Sequence, residues 1–190
     1  MNLTSIRTAL LTSILAVATL PTYAQQKLIP AQSELGFTAK QMGVAMQGSF
    51  KKFDAQINFD ASKLATSKVA FTVDIASATM GSREVDTELP KATWFNTAKF
   101  PQAQFISTAI KLLGGAQYEV AGKLIIKGQS RDVTVPVSFA QSGAVTVASG
   151  VLPIKRLAFN IGDGDWADTS MVADEVQIRF KLSLSGIAKF

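Results

Sequence analysis

Apolar and polar residues alternate in steps of two along much of the chain, the period of half-buried β-strands. Leu35, Phe37 and Ala39 share one face, and Glu34, Thr38 and Lys40 the other. Phe53, Ala55, Ile57 and Phe59 alternate with Asp54, Gln56, Asn58 and Asp60. Val69, Phe71, Val73 and Ile75 alternate with Lys68, Thr72 and Asp74. Tyr118, Val120, Leu124 and Ile126 form another such face, and Val133, Val135, Val137 and Phe139 follow. Near the end, Val176, Ile178, Phe180, Leu182 and Leu184 alternate with Gln177, Arg179, Lys181, Ser183 and Ser185. Turn residues separate the runs, at Gly114-Gly115, Gly128-Gln129-Ser130, Ser142-Gly143 and Gly162-Asp163-Gly164-Asp165. The spacing predicts a meandering antiparallel sheet, which with one apolar face closes into a barrel or folds as a sandwich.

Ser82–Phe95 (SREVDTELPKATWF) interrupts the alternation. Ser82 is placed to cap a short helix, with Arg83, Glu84, Asp86 and Glu88 solvated, and Pro90 ends or bends it. Trp94, Phe95, Phe100 and Phe105 then make an unusually aromatic stretch for a connection. Two readings stand side by side: a helix that plugs one end of the barrel, or a mobile lid over a ligand mouth.

The first 24 residues read differently. Arg7 is their only charged side chain, Thr8–Leu20 is an apolar run, Pro21 breaks it, and Thr22-Tyr23-Ala24 offers small residues before Gln25. This is the three-part pattern of a cleaved secretory signal peptide, and the run is short for a span that needs about 20 residues. The expected division is 1–24 as signal peptide and 25–190 as one exported β-barrel domain.

Composition narrows the chemistry. The 190 residues include no histidine and no cysteine. There is thus no disulfide, thiol nucleophile, thiolate zinc site, imidazole metal ligand or Ser–His–Asp triad. No cofactor and no metal are expected, and no residue is assigned a catalytic role. The net charge of +5 comes from scattered lysines, without the basic run of a nucleic-acid arm. No nucleic-acid partner is expected, while transient contact with an anionic membrane surface remains compatible with the charge. Asp163, Asp165, Asp168, Asp174 and Glu175 cluster in sequence. Their D-x-D-x-x-D spacing hints at a calcium loop but fails the EF-hand pattern at Ala167, so a hairpin loop with Asp163-Gly164 as turn residues is the plainer reading.

Four blocks carry a resemblance: LIPAQSELGFTAKQMGVAMQGSFKKFDAQINFD (28–60), ATWFNTAKFPQAQFIS (92–107), YEVAGKLIIKGQSRDVTVPVSF (118–139) and LAFNIGDGDWADTSMVADEVQIRFKLS (157–183). In this order they resemble the bacterial YceI-like, polyisoprenoid-binding family. The resemblance implies an all-β, antiparallel, eight-stranded lipocalin-like barrel with a short helical insertion near residues 82–95. It also implies an apolar pore for a long-chain isoprenoid or other lipid-like ligand, a periplasmic location, and the homodimer common among members as a possible assembly. Gln41 stands where many members carry His ahead of Met/Leu-Gly; it can hydrogen-bond but cannot titrate.

Of the sixteen aromatics, twelve are Phe, which lines apolar space without needing a polar partner. The inward positions expected to meet a ligand are Leu35, Phe37, Phe71, Val73, Phe105, Val120 and Phe180. Met42, Met46, Trp94 and Trp166 are expected near the mouth, since Met and Trp adapt to irregular, half-wet edges. Gln41 and Arg83 are the candidates for a polar headgroup. Gly36, Gly48 and Gly122 interrupt bulky strands, for curvature or for ligand space. The function expected is a carrier of a long-chain apolar or amphiphilic molecule (isoprenoid, quinone precursor or fatty-acid derivative). The alternatives are a filled, ligand-free interaction module of the cell envelope, related to stress, and, less favoured, an acid-pair hydrolase.

Overall fold

The computed structural model describes residues 25–189; the predicted signal peptide lies outside them. Eleven strands and one short helix follow in chain order. They are β1 (Lys27–Leu28), β2 (Glu34–Gln41), β3 (Val44–Phe50), β4 (Phe53–Asn58), β5 (Lys68–Asp74), β6 (Ala78–Thr79), α1 (Arg83–Glu88), β7 (Gln102–Gly114), β8 (Gln117–Ile126), β9 (Gln129–Ser142), β10 (Val145–Lys155) and β11 (Glu175–Ser185). All pairings are antiparallel, in the order β4-β5-β7-β8-β9-β10-β11-β2-β3-β6, with β1 beside β11.

Eleven strands make eight staves. β3 and β4 are one strand bent at Lys51-Lys52, and β5 and β6 are its partner bent at Ile75–Ser77. The ladder crosses the corner through Lys51 N to Ser77 O (3.2 Å) and Asp74 N to Lys52 O (3.0 Å). β1 and β2 likewise form one stave broken by the turn at Pro30–Gln32, and both pair with β11. Just before β1, the Gln26 amide bonds both backbone groups of Phe59, each at 2.7 Å. A side chain there stands in for a strand and brings the sheet back on itself, sparing the exposed edge that an open sheet would present.

The predicted alternation sets the faces. Val176, Ile178, Phe180, Leu182 and Leu184 of β11 point inward, and Gln177, Arg179 and Lys181 outward. An apolar lumen inside a polar outer face is the reverse of a membrane-spanning barrel. At the closed end Phe59, Tyr118 and Phe139 pack with centroids 5.0–5.3 Å apart, in tilted and edge-on geometry.

Three glycines shape the interior. A methyl at Gly48 would come within 2.2 Å of Phe37 Cζ, one at Gly122 within 2.6 Å of Phe105 Cε2, and one at Gly150 within 2.6 Å of Phe180 Cζ. Each missing side chain lets a phenylalanine ring from the neighbouring strand lie flat on the backbone. At Gly122 and Gly150 the methyl would press closer still on a backbone carbonyl, Ile106 O at 2.5 Å and Pro136 O at 2.4 Å, so these glycines serve the close approach of strands as well as the seating of rings. Gly36 instead faces the Gly48 carbonyl.

Candidate functional site

The lumen is a cavity of about 580 Å³, open at one end. That lies within the roughly 300–1,000 Å³ of pockets that enclose small-molecule ligands. Leu35, Phe37, Phe71, Val73, Phe105, Val120 and Phe180 line it, as their inward phase predicts. Phe71, Phe105 and Phe180 pack against the core on one side and are only half-buried, because they also border the open lumen.

Three elements build the mouth. The β2–β3 hairpin turns through Met42 and Gly43, both with positive φ (49° and 81°), which lifts the Met42 side chain away from the barrel. Gln41 and Met46 line the rim, and Gln41 bridges Val172 across the opening. The second element is the segment from Met80 to Phe100, which sends Leu89, Trp94 and Phe95 into the cavity and Glu84 and Glu88 to its edge. Asp86 anchors it, accepting from Met80 N at 2.6 Å and from the Thr79 hydroxyl. These bonds, Met80 foremost, hold the Asp86 carboxyl below its usual pKa. The helix is shorter than the predicted insertion. It ends at Glu88, two residues before Pro90, and turns carry the chain on to Phe100; Ser82 sits at the N-cap without a side-chain capping bond.

The third element is the long loop 156–174 between the paired strands β10 and β11. It folds around Arg156, which is 2% exposed and lines the cavity. All five guanidinium N–H groups are used on backbone carbonyls. Nε donates to Ala173 (3.1 Å), Nη1 to Ile161 (2.9 Å) and Gly162 (2.7 Å), and Nη2 to Trp166 and Val172 (both 2.7 Å). Burial lowers the Arg156 pKa, and nearby Asp174 opposes the shift. Lys127, also buried, reaches the same loop through Asn160 O and Asp163 Oδ2 (3.1 Å). Three of the acids near this loop are taken up by structure: Asp163 pairs with Lys127 after β8, Asp168 accepts from Ser170 N and Asp174 accepts from Leu157 N. Among the described residues no group of three or more acids is placed to hold a metal ion.

Trp94 and Trp166 meet at the mouth with ring centroids 5.4 Å apart. Two predicted contacts fall elsewhere. Met42 is 73% exposed at the hairpin tip, where its backbone N–H bonds Met171 O, and does not line the cavity. Arg83 points to solvent from the first residue of α1 and is likewise no part of the lining, because the helix turns Val85 and Leu89 inward instead. Sequence reasoning missed Arg156. The signal was present: it continues the inward phase of Leu152 and Ile154, an odd place for a charge.

A closed antiparallel barrel with a hollow apolar interior and one polar, aromatic mouth is the class that this fold and cavity define. The chain belongs to the YceI-like domain family, whose pattern it matches over residues 26–184. It is 35% identical over 141 residues to UPF0312 protein plu2095 of Photorhabdus laumondii subsp. laumondii, covering 69% of this chain and 73% of that one. Other curated relatives are spanned over little more than half their length. Among solved structures, Burkholderia cenocepacia BcnA superposes with a TM-score of 0.80 at 48% identity, over 82% of this chain and 98% of BcnA. A polyisoprenoid binding domain from Saccharophagus degradans shares the fold, with a TM-score of 0.69 at 15% identity over 85% and 98% of the two chains.

Proposed function

We propose that the chain is a periplasmic carrier, exported through a cleaved signal peptide, that holds a long-chain isoprenoid, quinone precursor or fatty-acid derivative without covalent chemistry. The cavity carries this reading: about 580 Å³ of apolar space, open at one end. Burying a CH₂ group is worth about 0.8 kcal/mol, so about ten of them supply roughly 8 kcal/mol before ordering costs. A net micromolar affinity needs about 8 kcal/mol after those costs, so chains longer than about ten carbons are the ones that burial alone retains. The polyisoprenoid binding described for the Saccharophagus degradans domain points to the same ligand class. The hollow interior weighs against the filled interaction module. Met42, Val44 and Met171, exposed beside the mouth at 73%, 63% and 43%, suit transient contact with a membrane surface from which such a ligand would enter. The test is native mass spectrometry of the mature protein from its own periplasm, with organic extraction of what it carries. A retained lipid adduct supports the reading. A bare polypeptide that also takes up no added prenyl alcohol refutes it.

A further inference from the structure

Methionine is distributed unevenly in this molecule. Met1 begins the chain; the other four, Met42, Met46, Met80 and Met171, all belong to the mouth of the barrel. Each element of the mouth supplies at least one. The β2–β3 hairpin carries Met42 and Met46, the segment after β6 begins with Met80, and the 156–174 loop carries Met171. They form two tiers. Met46 and Met80 are half-buried in the cavity lining. Met42 and Met171 stand outside it, 73% and 43% exposed, with Val44 of the same hairpin at 63%. The outer pair is joined through the backbone, Met42 N–H donating to Met171 O at 2.8 Å, so hairpin and loop stay tied whatever these side chains carry.

We propose that Met42 and Met171 are redox modification sites: their oxidation to sulfoxides by hydrogen peroxide releases the mouth from a lipid surface, and reduction restores the contact. This rests on the membrane contact in the reading above and adds its regulation. In the step, one peroxide oxygen bonds to the sulfur as the O–O bond breaks. The sulfur loses two electrons, and the other oxygen leaves as water with both protons. A thioether is apolar and its sulfoxide polar, so the change falls on the property that holds such a rim to acyl chains. The sulfoxide carries no net charge, so attraction between lysines such as Lys40 and anionic lipid is unaltered. Exposure sets the order of attack: the outer sulfurs meet a dissolved oxidant directly, the inner pair only through the mouth. The chain has no cysteine to compete for the oxidant.

The mature protein, treated with hydrogen peroxide, is mapped by peptide mass spectrometry and titrated onto vesicles of phosphatidylethanolamine and phosphatidylglycerol. Sulfoxide should appear at Met42 and Met171 before Met46 and Met80. Vesicle partition should then fall about tenfold, the scale of withdrawing one methionine side chain from an apolar surface, with Tm unchanged. Methionine sulfoxide reductases should restore it. The double variant Met42→Leu/Met171→Leu keeps the apolar volume without the sulfur, so it should partition like the untreated wild type and resist the oxidant. A partition unmoved by oxidation, an equal loss in the leucine variant, or Met46 and Met80 oxidised first overturns the proposal. A reduced protein that never partitions onto the vesicles removes the membrane contact and the proposal with it, while uptake of a prenyl alcohol by that protein would leave the carrier reading standing.

Discussion

Gly48→Ala tests how the lumen is kept open. Gly48 pairs with Phe37 across the β2–β3 ladder, and the added methyl would lie 2.2 Å from Cζ and 2.6 and 2.7 Å from the two Cε atoms. Carbon contacts settle near 3.5–4.0 Å, so the ring must withdraw by roughly 1–1.5 Å. Phe50 already packs on it at 5.3 Å, which leaves the lumen as the way out. Such overpacking costs about 1–3 kcal/mol. The loss of glycine's freedom in the unfolded chain returns about 0.4–1 kcal/mol, so the net change remains destabilising. For a chain of this size that lowers Tm by on the order of 5 °C, and the narrowed lumen weakens guest binding. Thermal unfolding and guest titration read both effects. In a Phe37→Leu background the same substitution should cost far less, with a coupling of about 1–2 kcal/mol in the double-mutant cycle. A Gly48→Ala protein as stable as wild type, with no coupling to position 37, refutes the idea that a missing side chain seats this ring.

Other perturbations probe the mouth. Arg156→Leu strips five loop carbonyls of their donors, and denaturant unfolding should show a loss of about 3 kcal/mol or more; Arg156→Lys, with three donors and no fork, should not rescue it. Asp86 has a lowered folded pKa, so the anchoring it provides is present above its unfolded value, about 3.9, and lost as pH falls through the folded value. Tryptophan fluorescence should report acid loosening of the segment after α1, and Asp86→Asn should bring that change to neutral pH. A prenyl alcohol at about 100 times its Kd should raise stability by about 2.7 kcal/mol; an unmoved Tm counts against the cavity as its seat.

The alternation made β2, β4, β5, β8, β9 and β11 legible, but hid the other five, of which β1 and β6 are only two residues long. β7 carries bulges at Ser107/Ala109 and Leu112/Gly114 that break its phase, so Ala103, Phe105 and Ser107 are followed inward by Ile110. β10 bears Val145, Val147, Val151 and Pro153 on its outer face, which blurs any contrast with Ala148, Leu152 and Ile154. β3 carries Gly48 at the centre of its inward face and Ala45 on its outer one, which leaves little apolar–polar contrast to read. The family resemblance implied the eight staves that periodicity alone left open. Most expected lining residues follow from phase. Met42 does not, because a positive φ lifts it out of register, and Arg156 was missed because inward charges are rarely sought. The contact between Trp94 and Trp166 depends on two distant segments meeting at the mouth, and no local pattern encodes that.

The chain between β6 and β7 contributes no rung to the ladder that brings the sheet back on itself, yet it sends Leu89, Trp94 and Phe95 into the cavity. Architecture and selectivity are thereby written in separate stretches of sequence. Residues 82–99 hold to the barrel through Asp86 on Thr79 and Met80 and through the Thr93 carbonyl on Gly162 and Asp163, and exchanges that keep those bonds present a new surface to whatever enters. A barrel so divided can acquire new tastes without relearning how to fold.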